Sequence, residues 1–367
     1  VVDSAVPVAD PVGAGLVCEF VGRLAARCLE SETAMSAQTA GAPLLSVRDL
    51  VVEIPTRRGV LRPVDGVSFD VHAGEILGVV GESGAGKSIT GAAIIRLLER
   101  PARIASGSVH LAGRRIDTLD SAALRRVRGG EIGTVFQDPS TSLDPLQRIG
   151  DQLAETARLH LSVSRAEARE RALQALVDVG IPAAAERLDA YPHQFSGGMR
   201  QRVVIALALI GEPALVIADE PTTALDVSVQ AQVLALLKQL CRERGTGVML
   251  ITHDMGVIAE TTDRVAVLYA GRVAEVGPTP AVLTEAAHPY TRGLMASTPN
   301  PLPGESHERR LQQIPGSMPG LLSVPSGCAF HPRCDQIMAV CAERRPSSMQ
   351  VGSSDVWCWL HSESSQT

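Results

Sequence analysis

The apolar run Ile76–Val80 passes without a break into Gly81-Glu82-Ser83-Gly84-Ala85-Gly86-Lys87-Ser88, and this junction limits the possible fold more than any other stretch. A strand with no polar position is buried on both faces, as in a parallel sheet covered by helices. Glycines at 81 and 86 bracket a turn in which backbone N–H groups can converge on phosphate oxygens. A helix starting at Lys87 adds its positive N-terminal end. In such a loop the lysine reaches the β- and γ-phosphates of a nucleotide, and the Ser88 hydroxyl ligates Mg2+. Fortuitous glycines in a strand-to-helix turn are the bland alternative, and the flanking elements weigh against it. Composition does too: of 34 basic residues only Lys87 and Lys238 are lysines. A compact ammonium is kept where the planar fork of arginine would not fit between phosphates.

Upstream, Leu44–Leu50 and Val67–Val71 read as short strands, with Pro63 and Gly66 marking turns between them. Downstream, the spacing predicts a helix from Lys87 to about Glu99, with Ile94, Ile95, Leu97 and Leu98 inward and Pro101 stopping it. Ile132–Phe136 is the next strand. From about 142 to 209 the pattern is helical: Ile149–Leu161, Ser164–Val179 and Gly198–Leu209. Ser164 with Glu167 three positions on forms a capping-box pattern. Strands return at Leu215–Ala218, Val248–Ile251 and Val265–Tyr269, with a helix over Val227–Glu243. This predicts an α/β core interrupted by a helical insertion.

Chemistry recurs at the ends of these strands. Asp219 and Glu220 close the Leu215 strand, where one carboxylate can reach Mg2+ and the next can act as general base on an attacking water. Adjacent carboxylates there are costly without cations nearby. Gln137 follows the Phe136 strand end and fits a contact to Mg2+ and water. His253 fits a γ-phosphate sensor, and Asp226 a loop that bridges to a partner subunit. A lone His at a strand end is usually structural and a lone Gln usually solvated; position within an ordered set lifts both. Between the P-loop and the acidic strand lies Phe195-Ser196-Gly197-Gly198-Met199-Arg200-Gln201-Arg202.

With these motifs in order, residues 44–285 resemble an ATP-binding cassette (ABC) ATPase. The resemblance implies an α/β fold with a RecA-like P-loop NTPase core, an antiparallel β subdomain and an inserted α-helical subdomain at about 140–205. It makes Gly81–Ser88 the Walker A loop, Gln137 the Q-loop, Ser196–Gln201 the signature, Asp219-Glu220 the end of Walker B, Asp226 the D-loop and His253 the switch histidine. It further implies that Ser196, Gly197, Gly198 and Asp226 serve ATP held by a second subunit, while Mg2+ is held through Ser88, Gln137 and Asp219. One departure stands out: where such ATPases usually stack adenine on an aromatic ring, this chain offers Ile54, with Val60 or Val64 as substitutes.

From about Pro278 the texture changes to Pro, Gly, Ser and Cys, and a C-terminal extension is expected over 286–367. His288-Pro289-Tyr290-Thr291-Arg292 and the later Ile314-Pro315-Gly316 and Pro325–Cys334 segments resemble the tail of ATPases from oligopeptide, dipeptide and nickel importers. Met199 in the signature is similar to one of the two ATPase subunit types that such importers pair. The resemblance therefore implies a second, non-identical ATPase subunit, two transmembrane permease subunits and, indirectly, an extracytoplasmic solute-binding protein. It places the chain at the cytoplasmic face of the cell membrane as a peripheral protein that powers peptide import; import of nickel or another small solute is the alternative. Cys328, Cys334, Cys341 and Cys358 are four of seven cysteines. Disulfides are not expected in a cytosolic ATPase. Four thiolates suit a structural Zn2+ or an Fe–S cluster. Tight Cys pairs are absent and Trp357 and Trp359 flank Cys358, which favours a shielded [4Fe–4S] cluster, as some resembling ATPases carry.

Bulk properties narrow the rest. A net charge of −6 argues against a large nucleic-acid-binding face. The longest apolar run, Val203–Ile210, is far short of the ~18 residues of a membrane span. A soluble ABC ATPase acting on DNA or ribosomes would usually bring coiled-coil inserts, tandem cassettes or a basic face; a metal-sensing regulator would need a DNA-reading element. Residues 1–43 are expected to be a disordered tail without chemistry; a short amphipathic helix over Leu16–Leu29 and initiation at Met35 are alternatives. Cys18, Cys28 and Cys241 read as packing or tail residues.

Overall fold

The structure is a computed structural model that describes residues 41–223, 225–297 and 313–362, without the side chain of Ser140. The readings made for residues 1–40 lie outside the described residues.

Two sheets carry the fold. The smaller is antiparallel, in the order β2-β1-β4-β5, from β1 (Leu45–Thr56), β2 (Gly59–Val71), β4 (Arg103–Leu111) and β5 (Arg114–Arg115). Leu45, Val47, Leu50 and Val52 of β1 are buried at intervals set by the strand period, with a register break after Val47. Here the turn expected at Pro63 and Gly66 is corrected. Both residues lie inside β2, which the structure extends to 13 residues. Gly66 falls at an irregularity between the pairs Leu50↔Val67 and Val51↔Asp65, so its left-handed φ of 78° serves a bulge. The chain reverses at Arg57 and Arg58 instead.

The larger sheet has the order β11-β12-β10-β9-β3-β8-β7-β6. Its members are β3 (Ile76–Val80), β6 (Ile132–Val135), β7 (Leu215–Asp219), β8 (Gly247–Ile251), β9 (Arg264–Tyr269), β10 (Arg272–Pro278), β11 (Met349–Val351) and β12 (Ser354–Val356). From β9 to β6 the strands are parallel; β10, β12 and β11 continue antiparallel. Every residue of β3 and β8 is buried, as their unbroken apolar character requires. The C-terminal region thus joins the central sheet: β12 pairs with β10, and the Trp357 N–H donates to the Ala274 carbonyl.

The helical insertion forms where its periodicity placed it. Helices span Ile149–Leu161, Arg165–Asp178 and Gly197–Leu209, and Leu153, Leu176 and Ile205 sit in one core with Val216 and Leu250 of the sheet. Ser164 caps its helix by accepting from the Glu167 N–H at 3.2 Å. The helix after the P-loop ends earlier than expected, spanning Lys87–Ile94. Arg96 turns left-handed at φ 54° and leaves Leu97 44% exposed, so Leu97 is not an inward residue. Among the described residues no helix is long and apolar enough to cross a membrane.

Candidate nucleotide site

Strand ends bring the P-loop and the acidic pair together. β3 delivers Gly81 and β7 delivers Asp219, with β8 between them in the sheet. A Cβ on Gly86, whose φ is 99°, would lie 2.2 Å from the Pro63 carbonyl oxygen, so only glycine lets the loop pass beneath β2. Lys87 follows and is buried, its Nζ donating to the carbonyls of Gly81 at 2.9 Å and Glu82 at 3.2 Å. Burial lowers its pKa, and the carboxylates of Glu220 and Asp219 oppose that fall. Ser88 Oγ donates to Asp219 Oδ1 at 3.0 Å. Burial pushes the Asp219 pKa up and the Glu220 charge adds to it, despite the Ser88 hydrogen bond. Such an acid is short of positive charge. Together with the Ser88 hydroxyl beside it, it fits a hard divalent cation with oxygen ligands.

Glu220 is the hub of the other side chains. Its Oε2 accepts from Gln137 Nε2 at 3.1 Å and from Thr223 Oγ1 at 2.9 Å, and its Oε1 lies 3.0 Å from His253 Nδ1. Burial would raise its pKa, but the bonds from His253 and Thr223 outweigh burial and lower it, keeping the carboxylate ionised. Its own backbone is held at a left-handed φ of 47° while its N–H donates to the Ile251 carbonyl. A non-Gly residue in that region is strained, and strain of this kind gathers at functional sites. Gln137, Glu220 and His253 therefore meet at one carboxylate. Thr223 was missed; in the sequence it is one of two adjacent threonines after Pro221, with nothing to single it out.

Ser196, Gly197 and Gly198 form a second group. Ser196 caps the Gly197–Leu209 helix by accepting from the Met199 N–H, and both Ser196 and Gly197 are exposed. A Cβ on Gly198 would come within 2.7 Å of Val229, so the turn packs on the start of the Val227–Arg244 helix. Asp226 caps that helix, accepting from the Val229 N–H at 2.9 Å and from Ser228 Oγ at 2.8 Å. Among the described residues no hydrogen bond joins Ser196–Gly198 to the P-loop. Ile54 shares a groove with Ser88, Ile89 and Asp219. Of its substitutes, Val64 is wholly buried and unavailable to a base, whereas Val60 is half exposed.

Cys328, Cys334, Cys341 and Cys358 are free thiols gathered in one place, with the Cys328 N–H donating to the Cys341 carbonyl. Burial, then the neighbouring thiols, pushes the Cys358 pKa up to about 11. Among the described residues, however, no group of three or more His, Cys, Asp or Glu side chains could hold a metal ion. The expected zinc or cluster ligands are thus not preassembled, and the Zn2+ alternative finds no site.

Comparison with known proteins fits this geometry. Residues 64–223 match the family model described as ABC transporter, and residues 274–341 match that of the oligopeptide/dipeptide transporter C-terminal region. The dimeric post-hydrolysis structure of the ATP-binding cassette MJ0796 bound to ADP and Pi is 28% identical, with a TM-score of 0.58 over 64% of this chain and 98% of that one. The fold is that of an ABC-type ATPase. The dipeptide transport ATP-binding protein DppD of Bacillus subtilis is 45% identical over 322 residues, 87% of this chain and 95% of its own. The oligopeptide transport ATP-binding protein OppD of Salmonella typhimurium is 47% identical over 316 residues, 86% of this chain and 93% of its own. The chain belongs to the family of peptide-import ABC transporter ATP-binding proteins.

Proposed function

We propose that this chain hydrolyses ATP to power import of di- and oligopeptides, working at the cytoplasmic face of a membrane beneath two permease subunits. The observation that carries this reading is the joining of a P-loop ATP site to a C-terminal region of the oligopeptide/dipeptide transporter type within one central sheet. ATP binds at Gly81–Ser88, where the loop N–H groups and Lys87 hold its phosphates, with Ile54 against the base. Ser88, Asp219 and Gln137 hold Mg2+, which when bound neutralises phosphate charge. Glu220 takes the proton of the attacking water; Gln137, Thr223 and His253 fix its orientation, and His253 senses the γ-phosphate. This is positioning with charge stabilisation.

The signature turn and Asp226 face solvent, which suits service to ATP on a second ATPase subunit, and Met199 favours a non-identical partner. The helices of 140–205 pass the motion to the permeases. Within this scheme 44–285 is the nucleotide-binding domain and 286–367 the extension. Reconstitution in liposomes with the neighbouring permease and binding-protein gene products tests the reading. Hydrolysis is expected to rise when the binding protein carries a di- or oligopeptide. Stimulation by nickel alone would redirect it to the alternative, and stimulation by neither would reject it.

We further propose that Cys328, Cys334, Cys341 and Cys358 hold a [4Fe–4S] cluster. A cubane offers four separate irons, so its thiolates need not converge on one point as a single ion demands. Bound, the cluster would supply cationic charge to Cys328, Cys334 and Cys358, whose thiols burial otherwise keeps from ionising. Chain purified without oxygen is expected to be brown and to contain iron; colourless, iron-free protein would defeat the assignment.

A further inference from the structure

The P-loop is gripped from the far end of the chain. Arg333 lies in the short helical turn His331–Arg333, just before Cys334. Its Nη1 donates to Glu82 Oε2 at 2.9 Å and its Nη2 to Glu82 Oε1 at 3.1 Å, a two-pronged pairing across 251 positions of sequence. Its Nε donates to the Pro315 carbonyl at 2.8 Å. The guanidinium sits 5.7 Å from the Tyr269 ring centroid and 5.9 Å from that of Phe330, and the side chain is 7% exposed. The Glu82 backbone is held as well: its N–H donates at 2.9 Å to the hydroxyl of Tyr290, a fully buried residue of the C-terminal region.

Glu82 is the second residue of a loop that binds a polyanion, and its carboxylate repels phosphate unless a cation compensates it. A surface pair would contribute little, but this pair is partly withdrawn from solvent, the arginine side chain 7% and the glutamate side chain 26% exposed, and the fork matches both carboxylate oxygens. We propose that Arg333 is a positioning residue of the ATP site: it neutralises Glu82 and turns its carboxylate away from the phosphates, so the C-terminal region tunes nucleotide affinity. The proposal rests on reading Gly81–Ser88 as the phosphate loop.

The test is equilibrium binding of ATP to the full chain, with thermal melting alongside. Parent protein must bind ATP, and failure there would reject the phosphate-loop reading itself. R333Q, which keeps bulk but loses charge, is expected to bind ATP about tenfold more weakly. That loss should shrink as salt is raised, because a bare charge is screened. Removing the carboxylate as well, in R333Q/E82Q, should recover about threefold or more of the affinity, which a merely structural defect would not allow. Should R333Q fail to fold, R333K takes its place: it keeps the charge but loses the two-pronged fit, so a loss of ATP affinity smaller than about tenfold is expected, and a loss of about tenfold or more would overturn the charge role. If the parent binds ATP but R333Q binds equally well, or the double variant binds no better than R333Q, the proposal falls.

Discussion

Replacing Glu220 with Gln is expected to lower steady-state ATP hydrolysis by about 10²–10⁴-fold, the range attached to loss of a general base. ATP binding should survive. The amide has the volume of the carboxylate and can still accept from Thr223 Oγ1, which lies 2.9 Å away. What it loses is the ability to take a proton. Bound nucleotide should then persist, and with it the two-subunit state that ATP bridges. Turnover measurements, together with size-exclusion chromatography in ATP and Mg2+, check both halves. A variant that hydrolyses ATP at parental rate would remove Glu220 from the base role.

Lys87→Ala should do the opposite, weakening ATP binding itself by about 10²-fold or more, since one preorganised charged donor in a dry site is worth that much. The ammonium is buried and its hydrogen bonds go only to the loop's own carbonyls. Its removal therefore leaves the glycine turn nearly intact, and the melting temperature should move little. The sharper comparison is Lys87→Arg. In a chain that otherwise uses arginine almost throughout, a wide planar fork should fail to restore binding. Titration with a fluorescent ATP analogue measures all three proteins; recovery of K87R to within about threefold of the parent would overturn the steric argument.

Much of this site was legible because its parts are local motifs at strand ends. Ile76–Val80, Leu215–Ala218 and Val248–Ile251 are unbroken apolar runs, and each is followed by residues of the same cleft. The insertion was legible because Ile149–Leu161 and Arg165–Asp178 keep a helical period over many turns. The antiparallel sheet was read less well. Arg103–Leu111 mixes exposed and half-buried positions, with few apolar residues to mark it as β4. Pro63 and Gly66 looked like breakers because propensity says nothing of a bulge that β1 enforces by pairing. The end of the Lys87 helix was set by Arg96, whose left-handed turn no residue preference announces. Thr223 and Arg333 escaped for another reason. Each matters through one partner chosen by tertiary structure.

The reach from Glu82 to Arg333 also bears on how the chain is made. Contacts so distant in sequence form late, since loop closure must precede them. During synthesis the glycine turn and the helix behind it emerge long before β12, which completes the β10 edge of the sheet, or Arg333, which compensates Glu82. A nascent chain therefore carries an unbalanced carboxylate in its phosphate loop until Arg333 has emerged. The ATP site is finished last, by residues translated some 250 positions after it.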